Sequence, residues 1–477
     1  MSAKLLRTGA AILVAGSIWP ALALAFDPIY PFADPLRTMP EVVEQGVTLP
    51  GDSAPIPCSV QKDFSHPLAL GEAVDLALCN NPQIRSTWAD IKIQAGAVGE
   101  ARAAYLPALT GSLSRTNDQI RYSDSRYPSS NINRNTAQGG LTWRIFDFGG
   151  RAANHQAAES LLAAALANHN ATLQKALSSV IQAYFDAVTA RATLKAKTAS
   201  EEIAGNTLHS AKLREDKGAS SQSDTLQATT ALAKSSLEKN RALGEYEKAR
   251  SVLGYLLGIS ANTAISLPED LGESAGENGK VLSQWLEETQ KNHPAILAAK
   301  NQLAAAKKRV TVARSAGMPT LNFSTNYYQN TRPGEAVTST EAQETTMGLA
   351  LSIPIFDGFS TSYKVRGAQA QVEQKEAALA DTEHQIAMEL IKAHADATSA
   401  LHNLEASAVL LEAAQSALVV SQRKYDKGAA DIMEILNTQG ALSDAQNQRI
   451  RCLAEWRSAR LRLLASAGQI GRSAVTE

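Results

Sequence analysis

The amino-acid sequence predicts an α+β membrane protein whose internally duplicated unit combines membrane β-strands with very long α-helices. Residues 141–150 recur in closely related form as residues 351–360, and in both copies alternating apolar residues lead into Phe-Asp and glycine. Such alternation is typical of a strand. An alanine-rich helical pattern of about 65 residues follows the first copy, and a similar one follows the second. The first 25 residues resemble an export signal.

Residues 1–25 carry the features of a secretory signal peptide. Lys4 and Arg7 precede an apolar run, and residues 23–25 (Ala-Leu-Ala) fit a small-x-small cleavage site. A membrane anchor is the alternative, but Pro20 interrupts the run, which is short for a span. No later stretch approaches about 18 consecutive apolar residues, so we expect no transmembrane helix in the exported chain. Such a protein is either soluble or a β-barrel.

Composition argues against several classes of function. The net charge of −1 over 477 residues gives no whole-chain preference for nucleic acid. The three cysteines permit at most one disulfide, without metal or redox spacing, and the sequence leaves the pairing of Cys58 with Cys79 open. The eight histidines show no ligand spacing, and we expect His155 and His169 on a helix surface. Without a nucleophile, acid/base set or phosphate loop, we predict no catalytic residues, metal or cofactor, and no enzyme.

The chain divides into six segments. These are the signal peptide (1–25), a proline-rich arm (26–69), repeat one (70–258), a linker (259–281), repeat two (282–470) and a tail (471–477). Eight prolines in the arm exclude helix and central strand there. We expect the arm to lie extended along the folded body or to be partly disordered.

The repeat rests on matched residues at a nearly constant spacing. Pro82 and Pro294 lie 212 residues apart, whereas the two Phe-Asp pairs and the Lys-Gly pairs at 217–218 and 427–428 lie 210 apart. Each repeat is predicted as helix, strand, loop, strand, very long helix, break and helix. The predicted strands cover about 105–118, 137–147, 319–331 and 344–356, lengths that suit a membrane β-strand.

Four strands cannot close a membrane barrel, because known barrels need about eight or more. Open strand edges in lipid would leave backbone groups unpaired, at several kcal/mol each. Several protomers must therefore share one barrel. Three protomers would give twelve strands, whereas two would give about eight and a bore filled by side chains, so a conduit favours three.

The joints at residues 145–147 and 354–358, and the turns at 217–218 and 425–428, resemble the TolC-type outer-membrane efflux proteins over about 70–470. The resemblance implies a homotrimeric channel-tunnel in the outer membrane of a Gram-negative bacterium. It would have a 12-stranded β-barrel in outer-membrane lipid and a periplasmic α-helical coiled-coil barrel. It also implies a periplasmic adaptor and an inner-membrane transporter of the ABC type as partners.

The opening Leu76-Ala77-Leu78-Cys79-Asn80-Asn81-Pro82 resembles the branch that serves type I protein secretion, as for haemolysin and adenylate cyclase toxin. We therefore expect a passive exit duct for an exported protein. Drug-efflux relatives share most of the pattern, so small-molecule efflux is the alternative. A periplasmic coiled-coil structural protein without a pore is an alternative of another class, but it does not explain the duplicated hairpins.

The resemblance also implies a periplasmic gate formed by the turns at 214–226 and 424–436. Judged by spacing from Gly218 and Gly428, its closing contacts map onto Asp224 and Tyr425. A tyrosine hydroxyl that donates to a carboxylate would be a charge-assisted latch. Alternatively, both are ordinary solvated turn residues.

Glu434 maps onto an acidic ring at the tunnel entrance, where three such charges would repel each other and attract cations. Alternatively, it is a helix-surface residue. By the same resemblance, Asn437 falls on a second acidic position, so one ring is lost, and Ala430 stands where the best-known member of the family has an arginine, so an arginine-based link is absent. Gly218 and Gly428 suit the positive φ that follows a helix C-terminus, and these turns would contact the adaptor.

The strand-to-helix joints are expected to be structural. In Phe146-Asp147 and in Phe356-Asp357, the aspartate can cap the helix that follows and the adjacent glycine can relieve the turn.

Overall fold

The computed structural model describes residues 34–40, 58, 66–124, 126, 129–260, 263, 265–268, 281–331 and 341–471. The predicted signal peptide lies outside the described residues, as do most of the linker and of the proline-rich arm, and all but the first residue of the tail.

Both repeats contain the same elements in the same order. Repeat one comprises α1 (Leu70–Asn80), α2 (Pro82–Ala103), β1 (Ala108–Ile120), β2 (Ser130–Phe146), α3 (Gly150–Asp216) and α4 (Gln222–Leu256). Repeat two comprises α5 (Leu282–Asn292), α6 (Pro294–Ser315), β3 (Thr320–Thr331), β4 (Glu341–Ser352), α7 (Ser360–Asp426) and α8 (Ile432–Ser466). Equivalent helices have equal lengths of 11, 22, 67 and 35 residues, so the structure reproduces the duplication.

The opening helix of each repeat breaks before a proline, so two helices stand where one was predicted before the first strand. Asn81 is extended, with ψ 120°, and its side chain accepts a hydrogen bond of 2.8 Å from the Gln83 N–H. His293 is extended in the same way, and its Nδ1 accepts a bond of 3.2 Å from the Ala295 N–H. The residue before each proline therefore ends one helix and caps the next.

The four strands form one antiparallel sheet in the order β1-β2-β3-β4. β2 begins at Ser130, earlier than predicted, because its pairing with β1 continues to Ile120 through polar residues that resemble a loop. β4 begins at Glu341 and ends at Ser352, two residues before Pro354, which has no N–H to donate to the ladder. The outer edges of β1 and β4 have no strand partner within the described chain.

The two faces of this sheet differ sharply in polarity. One face carries apolar cross-strand pairs, namely Leu109–Leu141, Trp143–Phe323 and Leu321–Leu351. The opposite face carries polar or small pairs, namely Thr110–Gly140, Arg144–Asn322 and Ser324–Gly348. The apolar face is open, since Leu109 is 75% exposed and Leu351 is 63% exposed. Alternation of this kind is that of a transmembrane barrel strand.

The long helices pack around cores near their middle. Apolar residues three or four apart form one face of α3, and this face is buried, with 4% exposure or less at Leu173, Leu177, Val180, Tyr184 and Val188. This face packs against α1 and the end of α4. A second cluster joins α5, α7 and α8 around Trp456. Both clusters are narrow seams between helices, which suits an aromatic content of only 5%.

The described parts of the proline-rich arm lie on this body. Cys58 forms a disulfide with Cys79 of α1, which settles the pairing that the sequence left open. Nearer the sheet, the Arg102 guanidinium of α2 donates to the Leu36 carbonyl oxygen at 3.2 Å. The arm therefore contacts the body at two places. One is α1, which lies just before the start of α2, and the other is Arg102, near the end of α2.

One described helix, α7, is long and apolar enough to cross a membrane, judged by length and composition only. Its most apolar 18-residue window has a hydropathy of 1.3 and is 17% buried. This window is not an unbroken run of apolar residues, so the sequence criterion used above did not indicate it. A single helix of this kind is weak evidence for a span, and about 100 Å of helix is far longer than a membrane needs.

Candidate functional site at the helix-hairpin tips

Each long helical hairpin turns through a glycine in the left-handed region. Gly218 has a φ of +68° and Gly428 a φ of +73°, as predicted. The N–H of each glycine bonds the carbonyl three residues earlier, at 2.8 and 2.9 Å, and the next N–H bonds the carbonyl five residues before it. These are the hydrogen bonds of a Schellman motif, which requires the conformation that glycine adopts most easily.

Asp224 is engaged at the start of its own helix. The Ser221 hydroxyl donates to its Oδ1 at 3.0 Å, and the Ser221 N–H lies 3.4 Å from its Oδ2, which forms a capping box. Within the described chain, the hydrogen bonds of this carboxylate come from Ser221 rather than from the Tyr425 hydroxyl. The predicted contact between Asp224 and Tyr425 therefore stays a prediction.

Tyr425 is 5% exposed and packs against Ile432 and Ile435 of α8. The Arg214 guanidinium of α3 lies 4.0 Å from the centre of the Tyr425 ring, and its Nη2 donates to the Tyr425 carbonyl oxygen at 2.7 Å. Burial raises the pKa of the Tyr425 hydroxyl, Arg214 opposes this increase, and Asp224 adds to it. Charged groups on three helices, Arg214 of α3, Asp224 of α4 and Asp426 of α7, therefore act on this hydroxyl.

Glu434 is partly neutralised within its own hairpin. Its Oε1 lies 3.2 Å from the Lys424 Nζ and accepts a bond of 3.2 Å from the Ser421 hydroxyl. Asp431 caps the same helix by accepting from the Glu434 N–H at 2.8 Å. Glu434 therefore presents less negative charge than a lone glutamate would, and the acidic ring stays a prediction. Ala430 packs beside the Tyr425 cluster.

Sequence reasoning missed Arg214 and Lys424. Both stand four residues before the tip glycine, and they are equivalent at the 210-residue spacing of the repeats. A repeated basic residue in the last turn of a helix could have signalled a role at these tips, because cations are stabilised near helix C-termini.

The two strand-to-helix joints have the predicted aspartate caps. Asp147 Oδ2 accepts a bond of 2.9 Å from the Arg151 N–H, and Asp357 Oδ2 accepts one of 2.8 Å from the Thr361 N–H. The Arg151 side chain was not predicted. It donates to Asp147 Oδ2 at 3.1 Å, to the Arg144 carbonyl oxygen at 2.6 Å and to the Ile145 carbonyl oxygen.

Exposed aromatic rings surround these joints. Phe146 packs edge-on against Phe148 at 4.8 Å between ring centres, and Phe356 packs in the same way against Phe359 at 5.3 Å. All four rings are more than half exposed. Phe148 and Phe359 also adopt positive φ, so in each turn a phenylalanine and the glycine beside it both have positive φ. Aromatic rings at strand ends are typical of a membrane interface.

The expectation for His169 was wrong. This side chain is 3% exposed, because α2 packs across its face of α3, and its Nδ1 lies 2.9 Å from the Thr87 hydroxyl. Burial lowers the pKa of His169 to about 4. His155 is also partly covered, and it accepts a bond of 3.2 Å from Arg102 Nε. Among the residues that the structure describes, no group of three or more His, Cys, Asp or Glu side chains could hold a metal ion.

The geometry agrees with comparisons to known proteins. The chain is 34% identical to Protein CyaE of Bordetella pertussis over 98% of this chain and 97% of that protein. It is 22% identical to the outer membrane protein TolC of Vibrio cholerae over 79% of this chain and 85% of that protein. The solved structure of the Campylobacter jejuni CmeC outer membrane channel has a TM-score of 0.75 at 17% identity, covering 88% of this chain and 92% of that one.

These likenesses span both repeats and most of the chain. The fold is that of the trimeric channel-tunnel, with four strands and two long helical hairpins in each protomer. The family described as outer membrane efflux protein matches residues 73–259 and 285–469, which coincide with repeat one and repeat two. The chain belongs to the outer membrane efflux protein family.

Proposed function

We propose that this protein is the outer-membrane exit duct of a tripartite export system. It passively conducts a substrate that an inner-membrane transporter and a periplasmic adaptor deliver to it. The observation that carries this proposal is the four-stranded sheet, whose exposed face is apolar and whose opposite face is polar, joined directly to helices of 67 residues. Such a sheet suits a barrel wall between lipid and a wet lumen.

The open edges of the sheet support a homotrimer. β1 and β4 can each pair along one further edge, so β4 of one protomer can meet β1 of the next until twelve strands close. Closure satisfies backbone groups that would otherwise cost several kcal/mol each in lipid. Exposed apolar residues on the long helices would be covered by the neighbouring protomers, among them Leu226, Leu237, Val252, Val409 and Val420.

We propose an exported protein in type I secretion as the cargo, and an ABC-type transporter as the inner-membrane partner. The opening at residues 76–82 supports this choice through its resemblance to the secretion branch. The chain is also more similar to Protein CyaE, at 34% identity, than to the efflux protein BepC of Brucella suis, at 25%, or the pyoverdine export protein OpmQ of Pseudomonas putida, at 23%. Small-molecule efflux is the competing cargo class.

We also propose that the hairpin tips form the periplasmic gate. Asp224 and Tyr425 would provide the latch, Glu434 an acidic ring at the entrance, and Gly218 and Gly428 the turns that meet the adaptor. The near burial of Tyr425 and the influence of Asp224 on its hydroxyl support a closing role for this pair. The adaptor would open the gate by acting directly on these turns.

Conductance of the purified trimer in a planar lipid bilayer tests the duct. We expect a heat-modifiable trimer on gels and single-channel currents across the bilayer. A heat-resistant monomer without conductance would contradict the proposal. For the latch, Asp224→Ala and Tyr425→Phe should each raise basal conductance, and unchanged conductance in the double variant would exclude the predicted hydroxyl–carboxylate bond.

A secretion assay separates the two cargo classes. In a host that lacks its own duct, co-expression with a type I transporter, its adaptor and their protein substrate should release that protein into the medium. Restored antibiotic resistance with a drug transporter, without any release of protein, would favour small-molecule efflux instead.

A further inference from the structure

We propose that Arg214 is a positioning residue of the gate. It clasps the first helical hairpin to the second and holds Tyr425 in the closed arrangement. This inference rests on the proposed function, because a clasp matters only if the tips move. It assigns a role to a residue that neither the sequence analysis nor the family resemblance singled out.

The clasp has two contacts from one side chain. Arg214 lies in the last turn of α3, and its guanidinium lies 4.0 Å from the centre of the Tyr425 ring on α7. Its Nη2 also donates to the Tyr425 carbonyl oxygen at 2.7 Å. A planar guanidinium can stack and donate at the same time, which the ammonium of a lysine cannot do. The pair therefore fixes both the ring and the backbone at the end of α7.

The end of α7 is a favourable place for this charge. The Tyr425 carbonyl lies where helix carbonyls lose their intrahelical partners, and it also accepts the Gly428 N–H at 2.9 Å. A cation there is stabilised by the negative end of the helix macrodipole. Tyr425 is nearly buried against α8, so movement of Arg214 away from it would pull on the packed core of the second tip.

Among the hydrogen bonds between the two hairpins in the described residues, the one that Arg214 donates lies nearest to the turns. Farther along the same seam, the Gln439 amide donates to the Thr207 hydroxyl at 2.8 Å, and the Lys197 ammonium donates to the Ser443 hydroxyl at 3.0 Å. An outward swing of one tip separates the ends of the helices first, so the Arg214 contact must break before the others.

Lys424 provides a matched control from the other repeat. It occupies the position equivalent to Arg214, but it pairs with Glu434 inside its own hairpin. Removal of either side chain deletes one cation from a helix end. Only removal of Arg214 severs a contact between the two hairpins.

The test compares Arg214→Gln, Arg214→Lys and Lys424→Gln in the trimer, with gel mobility to confirm assembly. In planar bilayers, Arg214→Gln should raise the open probability of the idle channel roughly fivefold to thirtyfold, the range expected for a desolvated cation–π contact. Arg214→Lys should give a smaller increase, and Lys424→Gln, which leaves the contact between the hairpins intact, should also raise the open probability less than Arg214→Gln does. Tyr425→Leu removes the latch hydroxyl and the ring contact together, so it should raise the open probability more than Tyr425→Phe does.

Amide hydrogen exchange at residues 425–430 gives a second measurement that does not depend on conduction. Faster exchange in Arg214→Gln than in Lys424→Gln and the wild type supports the clasp. Equal exchange and equal open probability in all three would overturn it. A wild-type trimer without conductance would overturn the proposed duct, and the exchange rates would still decide whether Arg214 holds α7. Tyr425→Phe keeps the ring and carbonyl, so it affects the latch and spares the clasp.

Discussion

The two repeats have helices of equal lengths, but they use equivalent side chains differently. At tip one, Arg214 reaches across to Tyr425 of the other hairpin, whereas at tip two its equivalent, Lys424, stays with Glu434 of its own hairpin. At joint one, Arg151 binds Asp147 and two carbonyl oxygens at the end of β2, whereas its equivalent at joint two is Thr361, whose backbone N–H donates to Asp357.

This difference shows how a duplicated chain divides its tasks. Repeat one supplies three arginines that reach beyond their own elements: Arg102 to the arm, Arg151 to the strand end and Arg214 to the second tip. The backbone plan is common to both repeats, because helix lengths and turns depend on caps and glycines that both retain. The contacts between separate structural elements depend on single long side chains, and these side chains differ between the repeats.

The largest difference between the repeats is expected at the joints. Arg151→Ala should destabilise the protein by about 3–5 kcal/mol, because it leaves the Asp147 carboxylate without its largely buried partner. The ion pair spans 3.1 Å, and both side chains are 12% exposed. Thr361→Ala should cost less, since it removes only a neutral hydroxyl that bonds Asp357 and the backbone N–H that donates to Asp357 remains. The temperature at which the trimer dissociates on gels measures both, and equal losses would contradict a joint-specific role for Arg151.

Arginine substitution on the sheet should instead affect both repeats alike. Leu351→Arg and its equivalent Leu141→Arg lie on the same apolar face and should each cost about 2–4 kcal/mol near the bilayer midplane. Ala350→Arg, on the polar face, serves as the control and should allow assembly. The yield of heat-modifiable trimer in outer membranes reports the effect. Normal assembly of the Leu351 or Leu141 variant would refute the assignment of that face to lipid.

The caps of α2 and α6 predict a pH dependence at the cap of repeat two and none at the cap of repeat one. Burial lowers the pKa of His293 to about 4, whereas the equivalent cap is Asn81, which does not titrate. A histidine in the unfolded chain titrates near pH 6.5. The stability that neutral His293 contributes to the folded protein is therefore intact above that pH and is lost as the pH falls toward 4. Each pKa unit corresponds to about 1.4 kcal/mol, so the loss of folding free energy should approach about 3 kcal/mol.

His293→Asn copies the cap of repeat one and should remove this part of the acid sensitivity while it keeps the helix start. Thermal dissociation at pH 7.5 and at pH 5 measures the change. The acid sensitivity that comes from His169 should remain in this variant, because burial lowers the pKa of His169 in the same way. An unchanged difference between the two pH values in the variant would show that His293 does not cause it.

The smallest effect is expected at the acidic position of tip two. Lys424 lies 3.2 Å from Glu434, so Glu434→Gln should weaken block of the channel by multivalent cations only slightly. Lys424→Ala should strengthen the block, because it frees the carboxylate charge. Current block by a trivalent cation measures both variants. Identical block in the two variants and the wild type would place the cation-binding ring elsewhere.

Much of the architecture follows from the sequence alone. The period of Leu173, Leu177 and Val180 determines the buried face of α3, because residues three and four apart share one side of a helix. The spacing of 212 and then 210 residues identifies the duplication, and the alternation before each Phe-Asp identifies the strands. The tip glycines were predictable because a helix end in the left-handed region favours glycine. These features are local, so a single segment determines each of them.

Contacts between distant segments required the tertiary structure. The start of β2 depends on pairing with β1, which polar residues do not reveal. The burial of His169 depends on where α2 crosses α3, and the Cys58–Cys79 disulfide depends on the path of the arm. At the gate, the sequence indicated Asp224 and Tyr425 by spacing. Arg214 and Tyr425 are 211 positions apart in the sequence, so the sequence did not reveal that Arg214 contacts this ring. Such pairs form only once separate helices pack, because side-chain reach is a few ångströms and sequence distance carries no information about it.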